Sequence, residues 1–262
     1  MLTIDTHCHA SPQWFEPIEV LLFQMNRNAV DKAALIQHRG QHDNRYLIEC
    51  ARRFPGRFAV VGIVDTSQPD APDTLARWHA EGVVGLRLNP LERSPGRDPL
   101  AIWRKASELG MVVSSLGEHE QYASDEFRKV VEELSNLPII VEHLGFVGRG
   151  GKPPFTTYRK ILALSKYPNV YMKVPGLGEI MARPIPARDP TFDLSKAPPF
   201  IDMAIEAFGA NRLMIGTDYP PSANREGYGN VVRYLREHLS RRTTAEQEAI
   251  FGKTAATLFK LE

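Results

Sequence analysis

The 262-residue chain contains only two cysteines, Cys8 and Cys50, which do not make a disulfide framework. It also lacks an excess of either charge, because 32 lysines and arginines stand against 31 acidic residues and leave a formal net charge of +1. This balance gives no electrostatic reason to expect binding to nucleic acid or to an anionic membrane. We therefore expect neither partner.

Long apolar runs are missing as well. None approaches the roughly 18 residues that would cross a bilayer, and no charged-then-apolar leader precedes the first apolar stretch. Hydrophobic residues nevertheless make up 43% of the chain, which is enough for a sizeable core. These features predict a globular cytoplasmic protein that does not span a membrane. The oligomeric state stays open, and a homo-oligomer is one of the states that the sequence allows.

Short apolar stretches alternate with amphipathic ones along the chain. An example of the amphipathic pattern is Ile18, Leu21, Leu22 and Met25, whose spacing places one apolar face on a helix. The apolar stretches predict eight buried strands, at residues 2–7, 33–37, 58–64, 83–88, 111–116, 139–142, 170–174 and 213–216. Apolar strands flanked by helices are typical of a parallel sheet that is covered on both faces.

Eight such units in this length predict the α/β class and a (β/α)₈ TIM barrel, with residues 1–262 forming one domain. A doubly wound open sheet is the alternative, but it usually has fewer strands, and no G-x-G-x-x-G follows the first strand. The glycine-rich residues 145–152 miss the phosphate-loop spacing, and Pro153 stands where Ser or Thr is needed. We interpret them as a loop between a strand and a helix.

The first strand carries a His-x-His pair. Successive side chains of a strand point to opposite faces, so His7 and His9 share a face and Cys8 points away from it. Two imidazoles about 6.5–7 Å apart along a strand can both turn toward one metal ion. The alternative is two histidines that are satisfied by hydrogen bonds at a strand end.

Polar side chains stand near the carboxyl ends of all eight predicted strands, where the active sites of TIM barrels lie. They are His7, His9, Gln37, His38, Asp65, Arg87, Asn89, Ser114, Ser115, His143, Lys173 and Asp218. Charged and imidazole groups that converge at one rim are costly to bury unless they are paired or used. The barrel interpretation therefore predicts a functional site at this rim.

Five segments also carry a family resemblance. They are residues 4–9 (Ile-Asp-Thr-His-Cys-His), 44–58, 84–88 (Val-Gly-Leu-Arg-Leu), 142–145 (Glu-His-Leu-Gly) and 215–220 (Ile-Gly-Thr-Asp-Tyr-Pro). Together and in this order, they resemble the amidohydrolase superfamily, in its amidohydrolase-2 branch of aromatic-acid decarboxylases, sugar-acid lactonases and pyrone-dicarboxylate lactonases. The resemblance implies that His7, His9 and Asp218 are metal-ligand positions, that His143 is the active-site histidine of strand six, and that Asp218 transfers the proton in hydrolysis.

The chain departs from the decarboxylases of this branch, which carry a further histidine ligand at the end of strand five. Here residues 111–117 read Met-Val-Val-Ser-Ser-Leu-Gly, and the next histidine is His119 on the following loop. Residues 173–176, Lys-Val-Pro-Gly, instead resemble the Lys-x-Ser-Gly segment of the lactonases. A divalent metal, with zinc as the first choice, would have His7, His9 and Asp218 as ligands, and His143 if it turns toward them. Metal-independent hydrolysis stays open, since some lactonases of the branch are understood to work without metal.

The residues favour hydrolysis of a lactone or another cyclic ester of a small carboxylated or sugar-acid substrate. Asp218 would activate water, and His143 would help to polarise the carbonyl group. The candidate contacts to an anionic substrate are Arg87, Lys173, His38, Ser115, Tyr219 and Trp14. For Arg87 the structural alternative is an ion pair with Asp65 or Glu142, for Lys173 a pair with an acidic residue, and for the aromatic residues packing.

Two other functions stay open. One is a metal-dependent decarboxylase of an unsaturated or aromatic carboxylic acid, which would need a complete ligand set. The other is a binding barrel without catalysis, although His7, His9, His143 and Asp218 would then have no reason to lie together.

Overall fold

The computed structural model describes residues 1–149, 152–181 and 196–261. Part of the glycine-rich segment 145–152 considered above lies outside these residues. Eight strands form one sheet in sequential order from β1 to β8, and every neighbouring pair is parallel. They are β1 Ile4–Cys8, β2 Lys32–Ile36, β3 Phe58–Gly62, β4 Val83–Leu88, β5 Val112–Ser115, β6 Ile139–Val141, β7 Val170–Val174 and β8 Leu213–Ile215.

The predicted α/β barrel is confirmed. A doubly wound sheet would reverse its strand order at one point, and this sheet does not. The predicted bounds of β4 and β7 are matched, whereas the other strands differ by a few residues at their ends, where hydrophobicity no longer marks the limit.

Helices cover the outside of the sheet. They are α1 Ile18–Arg27, α2 Arg45–Arg53, α3 Ala71–Ala80, α4 Ala101–Glu108, α5 His119–Tyr122, α6 Asp125–Glu133, α7 Thr156–Leu162, α8 Leu177–Ile180, α9 Phe200–Phe208, α10 Tyr228–Leu239, α11 Thr244–Glu248 and α12 Thr254–Phe259. The buried face of α1, formed by Ile18, Leu21 and Met25, follows the predicted spacing. Among the described helices, none is both long and apolar enough to cross a bilayer.

The apolar side chains form two separate cores. The larger lies between the strands and the surrounding helices. The smaller fills the barrel interior, where Phe259 of α12 and Leu261 pack with Ile4, Ala34 and Met214. Because apolar side chains occupy this part of the interior, the polar side chains of the strands are left for the carboxyl-terminal rim.

The seam between β1 and the end of β8 is closed by backbone hydrogen bonds, from Asp218 N–H to His7 O and from His9 N–H to Tyr219 O, both 2.8 Å, and by a side chain. Only one bridge, Cys8 to Tyr219, is recorded between the two strand regions in the described residues. The buried Asp5 accepts hydrogen bonds from the backbone N–H and the hydroxyl of Thr217, at 2.9 and 2.6 Å. It also accepts from the His7 N–H at 3.1 Å, so one carboxylate joins the first strand to the end of the last.

Candidate active site

The histidine pair of β1 converges as predicted. His7 and His9 lie with ring centroids 5.0 Å apart, and Cys8 packs into the outer core. The register of β1 against β2 shifts between Asp5 and Cys8, which indicates a β-bulge. Bulges often re-aim side chains next to active sites. Here it allows both Ile4, in the inner core, and His7, three residues later, to face the barrel interior.

Asp218 follows β8 and faces both histidines. Its backbone has a φ of 55°, and its N–H donates to His7 O at 2.8 Å, which fixes it beside β1. Its Oδ1 lies 3.5 Å from His9 Nε2 and 3.8 Å from His7 Nε2, and its Oδ2 accepts from Arg225 Nη2 at 3.1 Å. Burial raises the pKa of the Asp218 carboxyl, but the contact with His9 and the charge of His143 outweigh it and hold the pKa below its usual value. Asp218 is therefore ionised at neutral pH.

His7 also belongs to a buried set of hydrogen-bonded side chains that we call the interior network. Its members are Arg87, Glu142, Ser114, Lys173 and His7. Arg87 donates to both carboxylate oxygens of Glu142, at 3.1 and 2.8 Å. Ser114 donates to Glu142 at 2.6 Å and accepts from Lys173 at 2.8 Å. Lys173 Nζ lies 3.2 Å from His7 Nδ1. The structure thus gives Arg87 the ion pair with Glu142 that the sequence left as an alternative.

Burial, assisted by the charges of the interior network, keeps His7 neutral. Burial lowers the pKa of His7 well below its ordinary value, and the charge of Lys173 lowers it further. Burial raises the pKa of Glu142, but the charges of Arg87 and Lys173 outweigh burial and bring it to about 2. Burial lowers the pKa of Lys173 to about 8, although the charge of Glu142 opposes this. At pH 7 two cations therefore face one carboxylate, and one positive charge remains beneath the histidines.

His143 follows β6 and lies in a turn with an unusual backbone conformation. His143, Leu144, Gly145 and Phe146 all adopt left-handed dihedral angles, with φ between 49° and 65°. Each non-glycine residue in this region costs about 1–2 kcal/mol, so the turn must be held by its surroundings. His119 contributes through a 2.8 Å contact between its Nδ1 and Gly145 O. The turn brings the His143 ring to 4.3 Å from that of His7.

His143 is buried beside an acidic residue of α8. Its Nδ1 lies 3.4 Å from Glu179 Oε2. Burial lowers the pKa of His143 to about 4, against the raising effect of Asp218 and Glu142. The imidazole is therefore neutral at pH 7. We call Asp218, His9, His143, Glu179 and Arg225 the rim cluster.

The other predicted substrate contacts are placed elsewhere. Ser115 points to the outer face of β5, because its neighbour Ser114 occupies the inner face, so the expectation for Ser115 is corrected in favour of Ser114. Tyr219 is 5% exposed and packs edge-on against Tyr228 in the outer core, which corrects its assignment as a pocket wall. Trp14 is 75% exposed on the loop after β1 and is not among the lining residues of the two cavities described below.

His38 is separated from the histidine pair by an aromatic ring. Phe15 stacks on His9 with centroids 5.1 Å apart, and its edge meets His38 at 5.5 Å. His38 therefore belongs to the wall behind His9 and does not contact Asp218 in this arrangement. A direct role in substrate binding remains a prediction.

Sequence reasoning assigned no site role to Glu142, Ser114, Glu179 or Arg225. Glu142 could have been suspected, because it precedes His143 at the end of an apolar strand. To predict Ser114, one would have had to know which residues of β5 face the barrel interior. Glu179 lies on α8, a helix too short to show a periodic signal, and Arg225 lies on a loop, so only the fold brings them to the site.

A cavity of about 290 Å³ lies beside the interior network, over the ends of β2, β3 and β4. Arg87 forms part of its wall, and the other polar lining residues are Arg39, His42, Asp65, Thr66, Asn89 and Glu92. A larger cavity, of about 450 Å³, lies between α5 and α7 behind Phe146, and His7, His9 and Asp218 are not among its lining residues. His7, His9 and Asp218 are absent from the lining of the smaller cavity as well, but Arg87 joins that cavity to the interior network, so it is the better placed of the two to hold a substrate.

Two groups of side chains in the described residues could hold a metal ion: His7, His9 and Asp218, and His7, Glu142 and His143. The second is a poor fit, because Arg87 already neutralises Glu142. In the first, His9 Nδ1 contacts Ile36 O at 2.7 Å and so leaves its Nε2 lone pair toward Asp218. Ligand atoms 2.0–2.2 Å from a tetrahedral zinc lie about 3.3–3.6 Å apart, close to the observed separations. The first group therefore fits a divalent cation, although Arg87 Nη2 lies 3.4 Å from His7 Nε2 and would have to leave that lone pair free.

Comparison with known proteins gives four findings. A family model described as "Amidohydrolase" matches residues 4–261. An L-fucono-1,5-lactonase of Burkholderia ambifaria is 26% identical, over 96% of this chain and 85% of that protein. A zinc-bound amidohydrolase of Burkholderia multivorans superposes with a TM-score of 0.82 at 22% identity, with all of both chains covered. A putative 2-pyrone-4,6-dicarboxylic acid hydrolase of Pseudomonas putida gives 0.79 at 24% identity, over 100% of this chain and 99% of that one.

Proposed function

The chain belongs to the amidohydrolase family, and we propose that it hydrolyses a lactone or another cyclic ester of a small carboxylated or sugar-acid substrate. Its similarity to an L-fucono-1,5-lactonase extends over nearly the whole chain and supports this substrate class. The similarity of its fold to a putative pyrone-dicarboxylate hydrolase is compatible with the same chemistry.

The position of Asp218 is the observation that carries the proposal. Its carboxylate is ionised, 16% of its side chain is exposed, and its Oδ1 faces the two imidazoles of β1. A general base must be unprotonated and must reach the proton that it removes. Asp218 meets both conditions, and a water molecule beside Oδ1 would also lie close to His7 and His9.

The reaction follows from these positions. The oxygen of a water molecule adds to the lactone carbonyl carbon while its proton passes to Asp218 Oδ1. The negative charge that develops on the carbonyl oxygen is stabilised by the remaining positive charge of the interior network and by imidazole N–H groups. The ring C–O bond then breaks, and Asp218 returns the proton to the leaving oxygen. The product is an open hydroxy acid, which ionises at neutral pH.

A divalent metal, zinc in the first instance, would be held by His7, His9 and Asp218. When bound, it would polarise the carbonyl group and lower the pKa of water. The contribution of the chain is separate: Ile36 O orients His9, the Asp218 N–H is fixed on His7 O, and Lys173 lies behind His7.

The substrate contacts differ from those that the sequence favoured. Arg87 and Lys173 act through the field of the interior network, because Glu142, Ser114 and His7 already occupy their donors. One net positive charge beneath the site still favours a substrate that is anionic or becomes so during the reaction. The cavity beside Arg87 offers oxygen and nitrogen groups that suit hydroxyl or carboxylate substituents.

An activity panel tests the proposal. The purified protein is given sugar-acid lactones, pyrone dicarboxylates, simple lactones and aromatic carboxylic acids, with and without a chelator, and metal content is measured by plasma mass spectrometry. We expect proton release from at least one lactone and no carbon dioxide. Carbon dioxide release that follows bound metal would establish a decarboxylase instead, and absence of turnover over the whole panel would favour a binding barrel.

A further inference from the structure

Two loops interlock above the catalytic groups. Glu226, after β8, accepts a hydrogen bond from the Gly178 N–H of α8 at 2.9 Å. A Cβ atom on Gly178 would lie 2.0 Å from Glu226 Oε2, so a larger residue here would displace this carboxylate from its present position. The loop that follows β7 is therefore built to fit against the loop that follows β8.

Arg225 lies at the centre of this contact. Its Nη2 donates to Asp218 Oδ2 at 3.1 Å and lies 3.6 Å from Glu179 Oε2. One guanidinium group thus contacts carboxylates from both loops. Its Nε has no hydrogen-bond partner in the described part of the chain, and it lies 4.0 Å from Glu226 Oε2.

The contact with Arg225 determines how Asp218 presents its two oxygens. The terminal torsion of an aspartate is broad, so the plane of an unheld carboxylate can rotate. With Oδ2 on Arg225, Oδ1 is directed at the Nε2 atoms of His7 and His9. The guanidinium therefore fixes the plane of the carboxylate, and with it the direction in which one oxygen faces the reacting water.

The same guanidinium reaches His143 indirectly. Glu179 Oε2 lies between Arg225 Nη2 and His143 Nδ1, at 3.6 and 3.4 Å. His143 Nδ1 is buried and has no hydrogen bond within the described residues, so the nearby carboxylate is the polar group that can orient it. A loss of Arg225 would disturb this carboxylate and, with it, the imidazole.

We propose that Arg225 is a positioning residue, which presents Asp218 Oδ1 to the attacking water and fixes His143 through Glu179. The inference rests on the proposed lactone hydrolysis for its catalytic consequence. It does not require Arg225 to touch the substrate. It therefore predicts a change in kcat with a much smaller change in KM.

The first experiment compares Arg225→Met and Arg225→Lys with Arg233→Met, a control on the exposed side of α10 whose arginine contacts Asn230. Removal of a hydrogen bond to a charged group corresponds to a fall of about 10–100-fold in kcat for Arg225→Met. Arg225→Lys should be intermediate, because it keeps the charge and loses the planar fork. Millimolar guanidinium chloride should restore part of the kcat of Arg225→Met and should leave Arg233→Met unchanged.

The inference is overturned if Arg225→Met keeps the wild-type kcat, or if its activity is lost without any recovery on addition of guanidinium. A second measurement does not depend on turnover: the thermal unfolding of wild type, Arg225→Met, Asp218→Ala and the double variant. We expect the two shifts in Tm to be non-additive, because each variant removes the same contact. Additive shifts would show that Arg225 does not hold Asp218. If no lactone is opened by the wild type, the proposed function fails, and this cycle still decides the contact.

Discussion

The interior network and the rim cluster are built from the same kinds of side chain but are paired differently. In the interior network, Glu142 is inaccessible to solvent and accepts three hydrogen bonds of 2.6–3.1 Å. In the rim cluster, Asp218 is partly exposed, and its contacts with imidazole nitrogens are 3.5 and 3.8 Å long. The first arrangement is saturated, whereas the second leaves an oxygen available.

Because of this difference, we expect the charges of the interior network to act mainly on folding and those of the rim cluster mainly on turnover. Removing one member of a saturated buried pair leaves an uncompensated charge, so the interior network should affect folding first. A carboxylate that keeps a free lone pair can accept a proton during a reaction, so the rim cluster should affect turnover first. The following predictions test whether the two regions respond as differently as their hydrogen bonds suggest.

The largest effect is expected for Asp218→Asn. The amide cannot accept the proton of water, so kcat for the best lactone should fall by roughly 10²–10⁴-fold, the usual contribution of a positioned base. The Tm should change little, since Asn is nearly isosteric. Steady-state kinetics and thermal unfolding measure both quantities, with Asp125→Asn on exposed α6 as the control. A near-wild-type kcat would remove Asp218 from the mechanism.

Glu142→Gln should act mainly on stability. It removes the carboxylate that pairs with the buried Arg87 and faces Lys173, and such a loss costs about 3–5 kcal/mol of the free energy of unfolding. Urea denaturation of the two proteins at pH 7 provides the measurement. If Glu142→Gln unfolds at the wild-type urea concentration, the interior network does not stabilise the barrel.

Lowering the pH should reduce the stability of the folded protein through the same carboxylate, that of Glu142. The pKa of Glu142 lies near 2 in the folded protein and near its ordinary value of 4.5 when unfolded. Its contribution to stability is therefore complete above pH 4.5 and is lost as the pH falls toward 2. We expect the difference in unfolding free energy between wild type and Glu142→Gln to shrink over this interval. A difference independent of pH would indicate that the two proteins differ for another reason.

The smallest effect is expected for Arg45→Ala. Arg45 pairs with Asp43 at 2.5 Å, a distance as short as any in the interior network, but its side chain is 80% exposed. Exposed ion pairs contribute about 0–1 kcal/mol, and salt screens them. The urea midpoint should therefore shift only slightly, whereas a loss as large as that of Glu142→Gln would show that distance and not burial decides the energy.

Local patterns were sufficient for the barrel and for the histidine pair. Hydrophobic runs located β4 and β7, and the alternation of side chains placed His7 and His9 on one face. The pairing of Arg87 with Glu142 joins residues 55 positions apart, so the sequence left it as one of two alternatives.

Features that depend on backbone irregularity or on loops were not predictable in this way. The bulge in β1 and the left-handed turn at His143 are held by tertiary contacts, which override local preference. Arg225 and Glu179 are brought together by two loops that do not show a repeating pattern. The geometry of the site therefore needed the structure even where its residue types did not.

The hydrogen bonds between Asp5 and Thr217 at the seam determine when the site can form during synthesis. Asp5 and Thr217 are 212 residues apart, and the same seam places His7 beside Asp218. When only the first seven strands have been synthesised, His7 and His9 are present but Asp218, which faces them, is not. Catalytic competence should therefore appear late and all at once, when β8 docks against β1, and a nascent barrel should be inert toward cellular esters until then.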